Sequence, residues 1–105
     1  MGREQRRSPR VDVNLPARWE GVLTLQEANV TNLSMHGCFV LTGGTVETKE
    51  LVRIEITLPD QTEIYAWGEV VEAANEIGFA VQFNSIDDEE RKRLEQFLKQ
   101  ALADT

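Results

Sequence analysis

Val30-Thr31-Asn32-Leu33-Ser34-Met35-His36-Gly37-Cys38-Phe39-Val40 reads as one strand running into a polar turn and another leaving it. Asn32 and Ser34 stand two residues apart, so at a strand end their side chains point the same way. Both can donate and accept hydrogen bonds. Gly37 permits a positive φ or lets the backbone approach a ligand closely. The hexapeptide Asn32–Gly37 is therefore either a small polar shelf or an Asx/Ser turn that closes a connection.

Outward from this stretch, the pattern keeps a period of two. Upstream, Val11, Val13, Leu15, Ala17 and Trp19 alternate with Asp12, Asn14, Pro16, Arg18 and Glu20, which predicts a strand with one buried face. Pro16 lies on the outward set and points to a sheet edge or a bulge there. Glu20-Gly21 turns the chain into a second strand over Val22–Thr31, and Gly37–Leu41 is a third. Gly43-Gly44 breaks the pattern before a loop to about Lys49. Downstream, Val52, Ile54, Ile56 and Leu58 alternate with Leu51, Arg53, Glu55 and Thr57, and Pro59-Asp60 ends this fourth strand. Ile64–Ala73 and Gly78–Phe83 complete the set, joined by a tight connection at Ala74-Asn75-Glu76. Six short strands with brief turns and no helix between them indicate an antiparallel barrel or sandwich.

The period changes at Asp87. Asp87 with Glu90 three residues on forms a capping-box pattern, and the acids of Asp87–Glu90 suit the positive end of a helix. Leu94, Phe97, Leu98, Ala101 and Leu102 then recur at helical spacing, while Arg91, Lys92, Glu95, Gln96 and Lys99 face out. An amphipathic helix over about 87–103 must dock, on the barrel first and on a partner second.

The chain has 105 residues, enough for one domain with one modest core. No apolar run is long enough to span a membrane, and the Arg-rich start lacks the apolar region of a signal peptide, so membrane insertion is not expected and the cytoplasm is. One cysteine rules out an internal disulfide, and Cys38 occupies an apolar strand position where a small buried hydrophobe is expected. His36 reads as a solvent-facing loop residue. The net charge is −7, unevenly spread: residues 1–10 carry four arginines against one glutamate, leaving −10 on the other 95. An acidic body repels DNA or RNA, whose binding rests on many phosphate contacts. A short basic arm suits a small anionic ligand. Met1–Ser8 has no apolar residue after Met1 to hold it to a core, so residues 1–9 are expected to be a mobile arm on a domain of residues 10–105.

Arg6 and Arg10 are spaced R-x-x-x-R with Arg7 between them, and guanidinium is the side chain for bidentate phosphate and guanine-edge contacts. Arg6-x-x-x-Arg10, followed 22 residues later by Asn32-x-Ser34-x-x-Gly37, resembles the two-part signature of the PilZ domain, a bacterial receptor module for cyclic di-GMP. The strand Val11–Ala17, the run Ala66-Trp67-Gly68-Glu69-Val70, and Ile77–Phe83 before the acidic helix start are also similar to that family. The likeness spans roughly Glu4–Gln100.

The resemblance implies a six-stranded antiparallel β-barrel with a flanking C-terminal helix. It implies that cyclic di-GMP is the ligand, with no cofactor, metal or catalysis. Arg6 and Arg10 would contact phosphates and a guanine, with Arg7 a third contact by position. Asn32 and Ser34 would reach the other face of the ligand, Gly37 keeping the loop shape. Asn32 stands where members of the family often have Asp, which removes a charge that a dianion would repel. Trp67 lies either near the guanine or closes the barrel as an ordinary strand aromatic. The corresponding mechanism is a ligand that orders the arm and creates a surface read by a protein partner. The competing readings are a PilZ-like interaction module with little nucleotide affinity and a small nucleic-acid-binding barrel. An enzyme is disfavoured, because the single His has no evident nucleophile or metal partner. Partner, pathway, oligomeric state and ligand count are left open by the residues.

Overall fold

Alternation turns one face of every strand inward, and the strands close on themselves. The computed structural model describes residues 9–22, 25–74 and 77–103. The strands are β1 (Val11–Glu20), β2 (Leu25–Leu33), β3 (Gly37–Leu41), β4 (Leu51–Thr57), β5 (Glu63–Ala74) and β6 (Gly78–Ile86), followed by α1 (Asp88–Ala103). All pairings are antiparallel, and the closed barrel runs β1-β2-β3-β6-β5-β4. This is the six-stranded barrel with a C-terminal helix that the resemblance implied.

The predicted alternation holds along β4 and along β1, where Val13 is only partly buried. Leu15, Ala17 and Trp19 of β1, Val52, Ile54 and Ile56 of β4, and Ile64, Ala66 and Val70 of β5 are all buried. Trp19 meets Phe79 edge to face with ring centroids 5.0 Å apart. A buried indole needs a partner for its N–H. Thr42 supplies one: its Oγ1 accepts from Trp19 Nε1 at 3.1 Å and bonds Gln26 Oε1 at 3.2 Å. Cys38 is buried as expected, and burial pushes its thiol pKa from 9.0 up to about 12.

Strand ends depart from the simple pattern. β2 begins at Leu25 rather than Val22, with residues 23 and 24 outside the described set, and it runs on to Leu33, beyond Thr31. β6 continues past Phe83 to Ile86 because Trp67 and Ala66 of β5 pair with Ser85 and Ile86. Such a partner is invisible to local periodicity. Pro16 lies where β1 is leaving β4, whose pairing starts at Ala17, and next to a register shift between Asp12 and Leu15. A residue without an N–H is tolerated at such a place. The turn into β6 closes through a bond from Ile77 N to Ala74 O at 3.0 Å, residues 75 and 76 lying outside the described set.

Helix α1 docks through Leu94 and Leu98, with Phe97 and Ala101 packed at the margin. Leu102, which the spacing assigns to the buried face, is exposed. Asp87 stands just before the helix and its carbonyl accepts from Arg91 N at 2.8 Å. The expected capping box does not form as drawn. Glu90 turns to the barrel instead, where its Oε1 accepts the Tyr65 N–H at 2.6 Å. One turn on, Arg93 Nη2 donates to the Glu63 carbonyl at 3.1 Å. β5 starts three residues before its first pairing with β6 at Ala66, and these two side chains bond the overhang.

Candidate functional site

The barrel brings the start of β1 beside the end of β2. Val11 pairs with Leu33 and Asp12 with Asn32, so Arg10, just before β1, lies near the β2–β3 turn. Arg10 is exposed there, its Nη1 lying 3.4 Å from Asn32 Oδ1, 22 positions along the chain. That is a long hydrogen bond between exposed groups, contributing little to stability. It does set a guanidinium against an amide at one end of the barrel.

Asn32 belongs to β2 rather than to a loop. A register shift lies on each side of it, between Asp12 and Leu15 in the β1–β2 ladder and between Val30 and Asn32 in the β2–β3 ladder. Bulges re-aim side chains at sheet rims. Here they leave Asn32 half-buried on the outer face while Leu33 beside it is fully buried.

The turn itself spans Ser34–Gly37. Ser34 N donates to Gly37 O at 2.9 Å, and the loop is Met35-His36. The Ser34 hydroxyl accepts from His36 N at 3.1 Å and lies 3.4 Å from Gly37 O, with Ser34 only 5% exposed. Ser34 therefore shapes the turn from within. His36 is exposed, and its carbonyl accepts from Phe83 N at 2.8 Å, fastening the turn to β6. Of the two readings of the hexapeptide, the Ser turn is present: Asn32 faces outward, while Ser34 is buried and bonded within the turn.

Gly37 does not take a positive φ. A Cβ there would collide with the Val81 carbonyl oxygen of β6, so the barrel itself requires a glycine at this place. β3 lies against β6 at Gln82 only because residue 37 has no side chain.

Arg6 and Arg7 lie outside the described residues. Trp67 is placed on the outer face of β5, 51% exposed, with Arg53 of β4 and Ser85 of β6 as cross-strand neighbours. Three strand spacings, from β2 through β3 and β6, separate it from Asn32. The structure thus brings together Arg10, Asn32, Ser34 and Gly37 and leaves Trp67 at a distance around the barrel. Sequence reasoning did not single out Phe39, which pairs directly with Asn32. The signal was there, since Phe39 alternates with the inward Cys38 and Val40.

Among the described residues no group of three His, Cys, Asp or Glu could hold a metal ion. No helix there is long and apolar enough to cross a membrane. What the arrangement offers chemically is a cation for a phosphate and an amide for a base edge.

The comparisons agree with this architecture. A family model described as PilZ domain matches residues 4–100. A search of curated protein sequences gave no match. Among solved structures, the Bacillus subtilis inhibitor of motility MotI/DgrA aligns with a TM-score of 0.78 at 19% identity, over 91% of this chain and 51% of that one. MrkH of K. pneumonia in complex with c-di-GMP aligns at 0.75 and 16% identity, over 92% and 51%. The PilZ domain of Escherichia coli YcgR with c-di-GMP aligns at 0.76 and 11% identity, over 95% and 93%. This chain spans about half the length of MotI/DgrA and MrkH.

Proposed function

The chain belongs to the PilZ domain family, and from that premise we propose that it is a cytoplasmic, non-catalytic receptor for cyclic di-GMP. The observation that carries the reading is the meeting of Arg10 with Asn32 beside the Ser34–Gly37 turn. The ligand is a dianion with two guanines. Arg10 with Arg6 and Arg7 would take phosphate and guanine edges, Asn32 would bond a base, and the turn built by Ser34 and Gly37 would hold Asn32 in place. Trp67 is the outlying member, an exposed aromatic available to a base only if the ligand reaches β5.

In this reading the arm of residues 1–9 folds onto the barrel as ligand binds, and the new surface is read by a protein partner. Charge-assisted hydrogen bonds contribute about 1.5–3 kcal/mol each, and ordering a residue costs about 1–2 kcal/mol. Ordering the arm offsets much of what two or three arginine contacts and one stacked base contribute, so in this reading binding and folding of the arm are inseparable. Two solved relatives are c-di-GMP complexes, and a third is described as an inhibitor of motility, which favours a regulatory adaptor over a catalyst.

Isothermal titration with cyclic di-GMP, using GTP as the control, tests the reading. Saturable micromolar heat with one or two ligands per chain is the expected result and also gives the stoichiometry. No heat up to several hundred micromolar would reject the receptor and favour a ligand-independent interaction module.

A further inference from the structure

The outward face around Asn32 is a continuous row across five strands. Register sets Asp12 opposite Asn32, Asn32 opposite Phe39, Phe39 opposite Ala80, and Ala80 opposite Glu72. Phe39 is half-buried and faces away from the barrel interior, outside the core formed by its neighbours Cys38 and Val40. Aromatic residues on strands gain from aromatic or β-branched cross-strand partners. Phe39 has an amide on one side and a methyl group on the other.

That poor pairing is a good setting for a flat aromatic ligand. Directly opposed side chains have Cβ atoms about 4.5–5.5 Å apart, so the ring starts beside the Asn32 amide, which Arg10 approaches at 3.4 Å. Ala80 rises no further than its Cβ, so the surface beyond the ring stays low. A ring and a methyl form an apolar ledge, with a hydrogen-bonding amide and a guanidinium at its rim. Purines are held in this way, face on an aromatic and edge on polar groups.

We propose that Phe39, flanked by Ala80, is the surface on which one guanine of cyclic di-GMP lies while Asn32 and Arg10 hold its edge and phosphate. The proposal rests on the receptor reading and assigns the base its contact. The row ends in Asp12 and Glu72, both exposed.

Titration calorimetry of the full chain with cyclic di-GMP, applied to wild type, Phe39→Leu and Phe39→Trp, tests it. Phe39→Leu keeps an apolar side chain on the strand and removes the ring, so its thermal midpoint should stay near that of wild type while affinity falls about fivefold or more. Phe39→Trp restores a ring and should bind within about threefold of wild type. Its added emission should be quenched by cyclic di-GMP beyond any change in wild type, a signature that a merely structural residue would not give. Wild-type affinity in Phe39→Leu, or emission of Phe39→Trp that the ligand leaves unchanged, would overturn the assignment and leave the receptor standing. Absence of binding by wild type itself would remove both.

Discussion

Glu90 and Tyr65, 25 positions apart, are joined by a 2.6 Å hydrogen bond from the Tyr65 backbone N–H to the Glu90 carboxylate, at the point where β6 runs out. Arg93 completes the pattern by donating to the Glu63 carbonyl, so two helix side chains bond the strand overhang in place of a neighbour. Barrel and helix are thereby tied by backbone recognition as well as by Leu94 and Leu98.

Removal of that acceptor should loosen the helix. Glu90→Ala is expected to cost about 1–2 kcal/mol, the lower part of the range for a charged partner because the bond is exposed. Glu90→Gln, which keeps an acceptor oxygen, should cost less. Glu95→Ala, on the outer face of the same helix, should stay within about 0.5 kcal/mol of wild type. Urea unfolding midpoints measure all three, and equal midpoints for Glu90→Ala and Glu95→Ala would show that the carboxylate adds nothing.

Two glycines give a paired test of the site's scaffold. Gly37→Ala drives a Cβ into the Val81 carbonyl and should destabilise the domain by about 2 kcal/mol or more, because strand backbone has to move. Gly43 has open space around the same position, so Gly43→Ala should be neutral or stabilising by up to about 1 kcal/mol. Thermal unfolding compares them directly. A binding defect in Gly37→Ala would accordingly report on the barrel as well as on the ligand.

The sequence made the barrel legible because its inward residues alternate almost without exception, from Val11 to Trp19 and from Val52 to Leu58. It also gave the joint appearance of Arg10 and the Asn32–Gly37 turn, through their order along the chain. What it hid depends on partners far away in sequence. β6 reaches Ile86 only because β5 is there to pair with it. Glu90 looks like half of a local cap until an unpaired N–H at Tyr65 competes for it. Gly37 looks like a turn glycine, yet its constraint comes from Val81, 44 residues later. Phe39 alternates outward between Cys38 and Val40, but only the register shows that it stands beside Asn32.

Cys38 makes stability depend on pH at the alkaline end. Its thiol is pushed up to about 12 by burial, from 9.0. Between those values the unfolded chain releases the thiol proton and the folded chain keeps it. The native state then binds more protons, so stability falls as pH rises above about 9 and is fully retained below. The slope attributable to this group is about 1.4 kcal/mol per pH unit at most. Cys38→Ala should lower stability at neutral pH and flatten the decline between pH 9 and 10.5 relative to wild type. Urea titrations at several pH values reveal it, and parallel curves for the two proteins would count against the burial argument. Thiol reagents should modify Cys38 in step with unfolding.

Arg10 and Ser34 should separate binding from folding. Arg10 is exposed and its bond to Asn32 is long, so Arg10→Ala should change the thermal midpoint little. Under the receptor reading it removes a charge-assisted contact and should cost about 2 kcal/mol of cyclic di-GMP affinity, roughly thirtyfold. Ser34→Ala should show a different profile. Its hydroxyl accepts from His36 N inside the turn, and the residue is almost wholly buried. Losing that bond should cost about 1 kcal/mol of stability, with a smaller loss of affinity that follows from a looser turn. Calorimetric titration and thermal unfolding on the same two variants measure both quantities. Arg6→Ala/Arg10→Ala with wild-type affinity would reject the arm as the anion contact. A Ser34→Ala variant that loses affinity at undiminished stability would instead give Ser34 direct contact with the ligand.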